Sequence, residues 1–374
     1  MKKIVFNCWL LRNRHLDGIG NFTVQVIKKM IEDHPEQQFN LLVDKKFVNE
    51  YFDYSNVVLH RIFPAFRHPI LYVFFLEVWL PLFLLKIKPD LIVSMDGFLS
   101  LSSRTKQLPV IYDLNFEHYP ENLPWRNRVY YRSFFPHFAR KARRIVTISE
   151  YSKMDIVKTY NVDENKIDNV SCGISDYFFP CTEAEKIEIK QKYAGSNEYF
   201  FFVGTMHPRK NILRLIQGFD AFKKSSKNAL KLVLAGNIMW DDNSIKTVVE
   251  NSTFKDDILL AGRVNNEELR LLTGGSSCLV FVPIFEGFGL PPVEAMQCEV
   301  PVIASNVTSI PEIVGDAALL INPYNIEEIK DAMLAVYNNN SLRQMLIQKG
   351  NIRKQQFTWA NTAKAFWDSI QKCL

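Results

Sequence analysis

The chain has 374 residues, 47% of them apolar and 23% charged, and 45 Lys and Arg against 40 Asp and Glu leave a net charge of +5 and a pI near 8.7. That length suits two domains at about 150 residues each, and the composition excludes a disordered or collagen-like chain. The basic excess is too mild for a nucleic-acid footprint and suits an enzyme that handles anionic substrates or rests on anionic lipid.

The opening residues 1–6 read as a first strand rather than a secretory signal, which places the chain in the cytoplasm. Short β-branched and aromatic runs at 3–8, 39–43, 56–60, 91–94, 110–112, 144–148 and 166–171 read as strands, with helical patterns at 22–32 and 126–141 between them. The stretch 69–85 (PILYVFFLEVWLPLFLL) is nearly all apolar. It falls short of the about 20 residues that span a bilayer. Glu77 and Pro81 interrupt it, so it reads as a helix buried in the core or laid on a membrane surface. In the next stretch Arg126, Arg128, Arg132, Arg140, Lys141, Arg143 and Arg144 are interleaved with Trp125, Tyr130, Tyr131, Phe134, Phe135 and Phe138. Such a helix rests on anionic lipid, or it buries its aromatic side and leaves its charges in water.

After a polar, strand-poor stretch at 173–197 the rhythm restarts. Strands read at 199–203, 231–235, 258–261, 278–282, 300–304 and 318–321, and helices at 212–223, 267–272, 292–297, 326–337 and 359–372. Alternation of this kind predicts parallel sheets covered by helices, here two Rossmann-like, doubly wound α/β domains. The division is 1–175 and 176–374, with the last helix, about 358–373, able to pack back on the N-terminal domain. The six cysteines form no CxxC pair and read as reduced, buried thiols.

Parallel sheets bind ligands beyond the C-terminal ends of their strands, so the motifs that follow strands carry the chemistry. The strongest is Glu286-Gly287-Phe288-Gly289-Leu290-Pro291-Pro292-Val293-Glu294, after CLVFV. Gly287 and Gly289 allow a tight turn, and Pro291 and Pro292 suit a first helical turn. The product is a glycine-bearing loop feeding a helix amino end, where N–H groups and the helix dipole attract phosphate. Glu286 and Glu294 bracket this turn, and a carboxylate accepts from both hydroxyls of a vicinal diol. A diphosphate with a sugar on each side explains both glutamates; a plain strand–loop–helix with solvated carboxylates is the alternative.

The second motif, Gly204-Thr205-Met206-His207-Pro208-Arg209-Lys210-Asn211, follows another strand and brings two cations that can neutralise a leaving diphosphate without a metal. Gly262-Arg263 adds a third strand-end contact, and Asp17-Gly18-Ile19-Gly20-Asn21 offers backbone N–H groups before a helix in the first half. Asp113, in Tyr112-Asp113-Leu114, is an acidic group able to orient or deprotonate an acceptor hydroxyl, or else a turn aspartate, and His118 lies five positions on. Asp241-Asp242 and Asp256-Asp257 read as solvated loop pairs rather than metal ligands.

These residues resemble glycosyltransferase family 4, the retaining enzymes of the GT-B fold, in which two Rossmann-like domains face each other across a cleft. EGFGLPPVEAM carries the central match, supported by GTMHPRKN and PVIASNVTSIPEIVGDAALLINP. DGIGNFT and YDLNFEHYPE resemble its mannosyltransferase branch. The resemblance implies that Glu294 holds the ribose hydroxyls and Glu286 a hydroxyl of the transferred hexose. It implies backbone contacts from Gly289 and Leu290, with Phe288, Gly287 and Gly204 beside them, and phosphate contacts from Arg209, Lys210 and Arg263. Gly18 and Gly20 approach the donor or acceptor from the N-terminal side, and Asp113 faces the reacting centre. Two positions depart from the pattern, Tyr112 where this branch has His and Thr205 where many relatives have Arg.

The implied reaction moves a hexose, with mannose from GDP-mannose first and a UDP-hexose next, to a saccharide or lipid-linked acceptor in cell-surface polysaccharide synthesis. The donor is a substrate and no cofactor or metal is implied; nucleic acid is no partner, and the lipid-linked acceptor brings contact with the inner face of the membrane. A sugar-nucleotide epimerase or a phosphorylase on the same architecture, and a sugar-nucleotide-binding protein without turnover, stay open. A dinucleotide oxidoreductase lacks its GxGxxG after the first strand.

Overall fold

The computed structural model describes residues 2–9, 11, 16–44, 48, 50–62, 69–237 and 244–374. Asp241 and Asp242 lie outside them. The chain divides into two compact units, Met1–Gly173 with Thr358–Leu374, and Ile174–Phe357. The break thus falls two residues before the expected one, and the last seventeen residues group with the first unit.

The first unit runs β1 (Ile4–Asn7), α1 (Gly18–Asp33), β2 (Phe39–Val43), β3 (Val57–Arg61), α2 (Pro69–Phe74), α3 (Leu80–Ile87), β4 (Leu91–Ser94), β5 (Lys106–Pro109), α4 (Asn115–His118), α5 (Trp125–Lys141), β6 (Ile145–Thr147), α6 (Glu150–Tyr160) and β7 (Ile167–Asn169). A π-helical turn, Phe75–Trp79, joins α2 to α3. The strands form a parallel sheet of order β3-β2-β1-β4-β5, and a Val110–Val146 bridge leads on to the parallel pair β6-β7. β1, β2 and β4 are buried along their whole length, as central strands covered on both faces must be.

One strand is displaced from expectation. The apolar run 110–112 is not a strand; the strand is β5, just before it, and only the single bridge at Val110 remains. Pro109 is tolerated because β5 has β4 as its one laddered neighbour, so the missing N–H need break no second ladder. The aromatic residues of α5 settle the reading of that helix. Tyr130, Phe135 and Phe138 are buried in a cluster with Phe98 and Phe116, whereas Trp125 stays exposed.

The second unit runs α7 (Glu183–Ala194), β8 (Tyr199–Val203), α8 (Ile212–Ser226), β9 (Lys231–Ala235), α9 (Ser244–Asn251), β10 (Ile258–Gly262), α10 (Asn266–Gly274), β11 (Cys278–Phe281), α11 (Leu290–Gln297), β12 (Val302–Ser305), α12 (Ile310–Val314), β13 (Leu319–Ile321), α13 (Ile326–Asn338) and α14 (Asn340–Arg353). Its parallel sheet has the order β10-β9-β8-β11-β12-β13. The order reverses between β8 and β11, and a crevice opens at such a reversal beyond the strand ends. α7 occupies part of the stretch expected to be an irregular seam. A capping box starts it: Thr182 Oγ1 accepts from Glu185 N, and Glu185 answers at Thr182 N, 2.8 Å away.

The last helix, α15 (Trp359–Gln371), packs on α1, with Trp359 and Phe366 edging Phe22 and Trp367 stacked on His34 at 4.0 Å. All six cysteines are free and buried. Among the described residues no helix is long and apolar enough to cross a membrane.

Candidate functional site

β8 and β11 are neighbours at the reversal point, and each delivers charge just past its end. After β8 the chain turns through a short 3-10 segment, Pro208–Lys210, started by the His207 side chain, whose Nδ1 accepts from Arg209 N. Asn211 follows with φ +63° and anchors the turn, its amide donating to Val282 O at 3.0 Å and Pro323 O at 2.7 Å. After β11 the loop brings Glu286 against both cations. Arg209 Nη1 donates to its Oε2 at 2.5 Å and Lys210 Nζ to its Oε1 at 2.7 Å. Arg209 Nη1 also reaches Phe285 O, and Lys210 Nζ lies 4.9 Å from the centre of the Phe281 ring. The Glu286 and Lys210 side chains are largely buried, and Arg209 is about one quarter exposed. Burial opposes ionisation of Glu286, but Lys210 and then Arg209 outweigh it and hold the carboxyl below its ordinary range.

The glycine turn then enters α11. Gly289 caps it with φ +99°, a conformation that favours glycine, and a Cβ there would lie 2.5 Å from Ile310 Cδ1. Pro291 and Pro292 remove two N–H donors from the first turn, which leaves the backbone N–H groups of Gly289 and Leu290 at the helix start for an anion. Phe288 turns inward: its ring is buried edge-on to Phe357 at 5.7 Å, so only its backbone is available. Glu294, one turn into α11, is half-buried, and burial pushes its carboxyl up to about 7 from an ordinary 4.5. Gly204 ends β8, its N–H donating to Ala235 O, and Arg263 is exposed just past β10.

The expected residues of the first unit have their own local contacts. Gly18 and Gly20 sit inside the first turn of α1, not in a loop before it. Asp17 caps that turn and accepts from Gly20 N at 2.8 Å, so this N–H is already used and only Gly18 is open. Asp113 acts locally as a turn aspartate: its Oδ1 accepts from Asn115 N at 3.0 Å and from Asn115 Nδ2 at 2.5 Å. Tyr112 is tied down, its hydroxyl donating to Met95 O at 3.0 Å, and burial raises its phenol far above the ordinary value. Among the described residues no group of three or more His, Cys, Asp or Glu side chains is arranged to hold a metal ion. Asp257 of the Asp256-Asp257 pair is bound to Lys223 at 2.8 Å.

Both units match family models. Residues 183–353 match the model for glycosyl transferases group 1, and residues 21–176 match the model for glycosyltransferase family 4. Over 357 residues the chain is 29% identical to the O-antigen chain mannosyltransferase B of Escherichia coli, covering 92% of this chain and 93% of that one. The chain is a glycosyltransferase, with the family 4 match carried by its first unit. Solved structures agree on the fold. The sucrose-phosphate synthase of Thermosynechococcus elongatus superposes with a TM-score of 0.78 at 16% identity, covering 100% of this chain and 99% of that one. Anabaena HepE, solved in complex with UDP and glucose, gives 0.76 at 15%, covering 99% and 100%. The transferase therefore has the α/β GT-B fold expected from its motifs.

Several residues of the transferase escaped the sequence reading. Ser309 Oγ donates to Glu286 O at 2.8 Å and Phe288 O at 3.1 Å, and Thr308 Oγ1 accepts from Glu286 N, so the start of α12 holds the glutamate turn in shape. Gly236, past β9, donates to Gly262 O and lies under the Gly204 carbonyl. In the first unit His118 Nε2 sits 2.8 Å from Asp155 Oδ1, and beside this pair Tyr160 and Arg132 both donate to Glu117. Burial, then Asp155 and Asp113, push the Tyr151 phenol up to about 12. Only the partner separations of 15 to 43 residues hid these clusters.

Proposed function

We propose that the transferase moves a hexose, mannose first, from a nucleoside diphosphate sugar, GDP-mannose first, to a hydroxyl of a saccharide or lipid-linked acceptor in cell-surface polysaccharide synthesis. The anomeric configuration is retained and no metal ion is required. One observation carries this reading: a buried carboxylate, Glu286, pinned between Arg209 and Lys210 at the strand-order reversal beside the start of α11. The similarity to the O-antigen chain mannosyltransferase B of E. coli supports the choice of mannose and of a surface polysaccharide.

In the reaction the bond from the anomeric carbon to the β-phosphate oxygen breaks, and a bond to the acceptor oxygen forms on the same face. The acceptor proton passes to the departing phosphate. Charge builds on the diphosphate, where Arg209, Lys210 and the N–H groups of Gly289 and Leu290 meet it, with Arg263 further out. Glu286 exchanges one of its ion pairs for a hydroxyl of the hexose, and Glu294 takes the ribose diol. Gly18 and Asp113 serve the acceptor side, and position 112 supplies no acid–base help.

The test is a thermal-shift panel of nucleotide sugars, followed by NMR of the transfer product. A shift with GDP-mannose and an α-linked mannoside from the α-linked donor are expected. A shift with UDP-hexoses alone changes the donor, an inverted product removes retention, and conversion of donor without acceptor indicates an epimerase.

Glu294 adds a pH dependence. Below pH 4.5 its carboxyl is protonated in folded and unfolded chains alike. Between 4.5 and about 7 the folded chain keeps a proton that the unfolded chain has lost, so stability falls as pH rises through this window. The ribose hydroxyls need the ionised form as acceptor, so donor binding releases a proton. Affinity should therefore climb toward pH 7, by up to about tenfold per unit, and level off above it. Calorimetric titrations from pH 5.5 to 8 check this, and Glu294→Gln should flatten the profile. An unchanged slope in that variant places the titrating group elsewhere.

A further inference from the structure

The helical run from Pro69 to Ile87 is apolar on both sides, and among the described residues one side is buried and the other exposed. Phe75, Leu76, Leu80 and Leu84 lie in the core of the first unit. Leu71, Val78, Leu82 and Leu85, spaced by seven, four and three residues, form the opposite stripe and are exposed, Leu82 by 63% and Leu85 by 70%. An exposed stripe of this extent on a soluble unit marks a contact surface.

Its neighbour is basic. Glu77 ties the run to the loop after β4, its two carboxylate oxygens accepting from Leu101 N and Ser102 N, both at 2.7 Å. From the other side Lys141 Nζ donates to Leu101 O at 2.6 Å. Ser102 and Lys141 line a depression of about 970 Å³ together with Arg104 and Arg143. Four further cations there are occupied, Lys106 on Cys373 O, Lys166 on Arg140 O, and Arg144 and Lys372 on Asp168. Arg104 and Arg143 are exposed and make no ion pair among the described residues. Burial first, and then Arg143, hold the Lys166 ammonium below its usual range against the opposing pull of Asp163.

We propose that this two-part face, the 71–85 stripe with the Arg104–Arg143 depression beside it, docks the transferase on an anionic bilayer. The stripe enters the interfacial zone and the guanidiniums meet lipid phosphates. A second copy of the chain fits less well, because a self-complementary contact would set the same cations against each other. The surface gives the proposed lipid-linked acceptor its location and rests on that reading for its purpose, although docking can be measured without it.

The experiment is co-sedimentation of the full chain with neutral phosphatidylcholine vesicles and with vesicles containing about 30% phosphatidylglycerol. The wild type should bind the anionic vesicles and lose binding in high salt. Leu82→Gln with Leu85→Gln, and separately Arg104→Glu with Arg143→Glu, should each weaken partitioning by about tenfold or more. Transfer to a short water-soluble acceptor should stay within about twofold in both variants, since neither touches the donor site. Failure of the wild type to bind, equal binding of neutral vesicles, or unchanged partitioning in both variants would overturn the proposal. So would a dimer in light scattering that the leucine variant dissolves. Loss of transfer to the soluble acceptor in the wild type would strike the functional reading instead and leave the docking result standing.

Discussion

Glu286→Gln should yield a folded enzyme whose kcat falls by about a thousandfold while its affinity for the free nucleoside diphosphate holds or rises. Glutamine keeps the volume of the side chain and a carbonyl acceptor, so the turn held by Ser309 and Thr308 survives. What disappears is the charge that occupies Arg209 and Lys210 at 2.5 and 2.7 Å. Both cations are then released from that carboxylate, yet on the proposed reading the contact to the hexose hydroxyl is weakened where it matters for transfer. Glu286→Ala is less informative, because besides the charge it removes the acceptor oxygen and the side-chain volume from a buried ion pair, a loss of about 3–5 kcal/mol that confounds stability with activity. Lys210→Ala removes a phosphate contact and should lower kcat/KM by about a hundredfold or more, with nucleotide affinity falling in parallel. Steady-state kinetics with melting curves on the same samples give both answers. Near-normal turnover in both variants would remove the assignment.

Gly236→Ala should be the most damaging single-methyl change in the second unit. Gly236 has φ +137°, and a Cβ would lie 1.9 Å from the Gly204 carbonyl oxygen. A backbone oxygen cannot swing aside as a side chain can, so Gly204 must move, and with it the turn that carries Arg209 and Lys210. Such a clash together with the strained φ should cost more than about 3 kcal/mol. Two controls separate the causes. Gly262 also has a positive φ, +65°, but open space around its missing Cβ, so Gly262→Ala should cost only the strain, about 1 kcal/mol. Gly18→Ala meets nothing within 4 Å and sits in a helix, so it should leave stability unchanged within about 0.5 kcal/mol. Chemical denaturation reads all three. Gly236→Ala as stable as Gly262→Ala would contradict the packing of β8 on β9 described here.

The turn into α11 was legible because Gly287, Gly289, Pro291 and Pro292 are conformational punctuation, and a tight strand-to-helix turn needs that punctuation. What the residues could not reveal was that Glu286 is gripped by Arg209 and Lys210. That contact depends on β8 and β11 being neighbours, a matter of strand order that no local pattern carries. Gly236 escaped because KLVLAG reads as an ordinary strand end, and its necessity arises only from the Gly204 carbonyl on the next strand. α7 is too polar to show an apolar face, although the Thr182–Glu185 capping box was a signal that it begins there. The strand at β5 was missed because Pro109 argues against a strand until its place beside a single laddered neighbour is known. In the first unit the aromatic residues of α5 had two readings, and only packing against Phe98 and Phe116 decided between them.

The account turns on Arg209 and Lys210 holding the β-phosphate. The direct test is the ratio of the Kd for the nucleoside monophosphate to that for the diphosphate, measured by calorimetry on the wild type and on the Arg209→Ala, Lys210→Ala double variant. The wild type should prefer the diphosphate by about a hundredfold, and the double variant should bind the two nearly alike. A double variant that keeps the full preference would contradict the account.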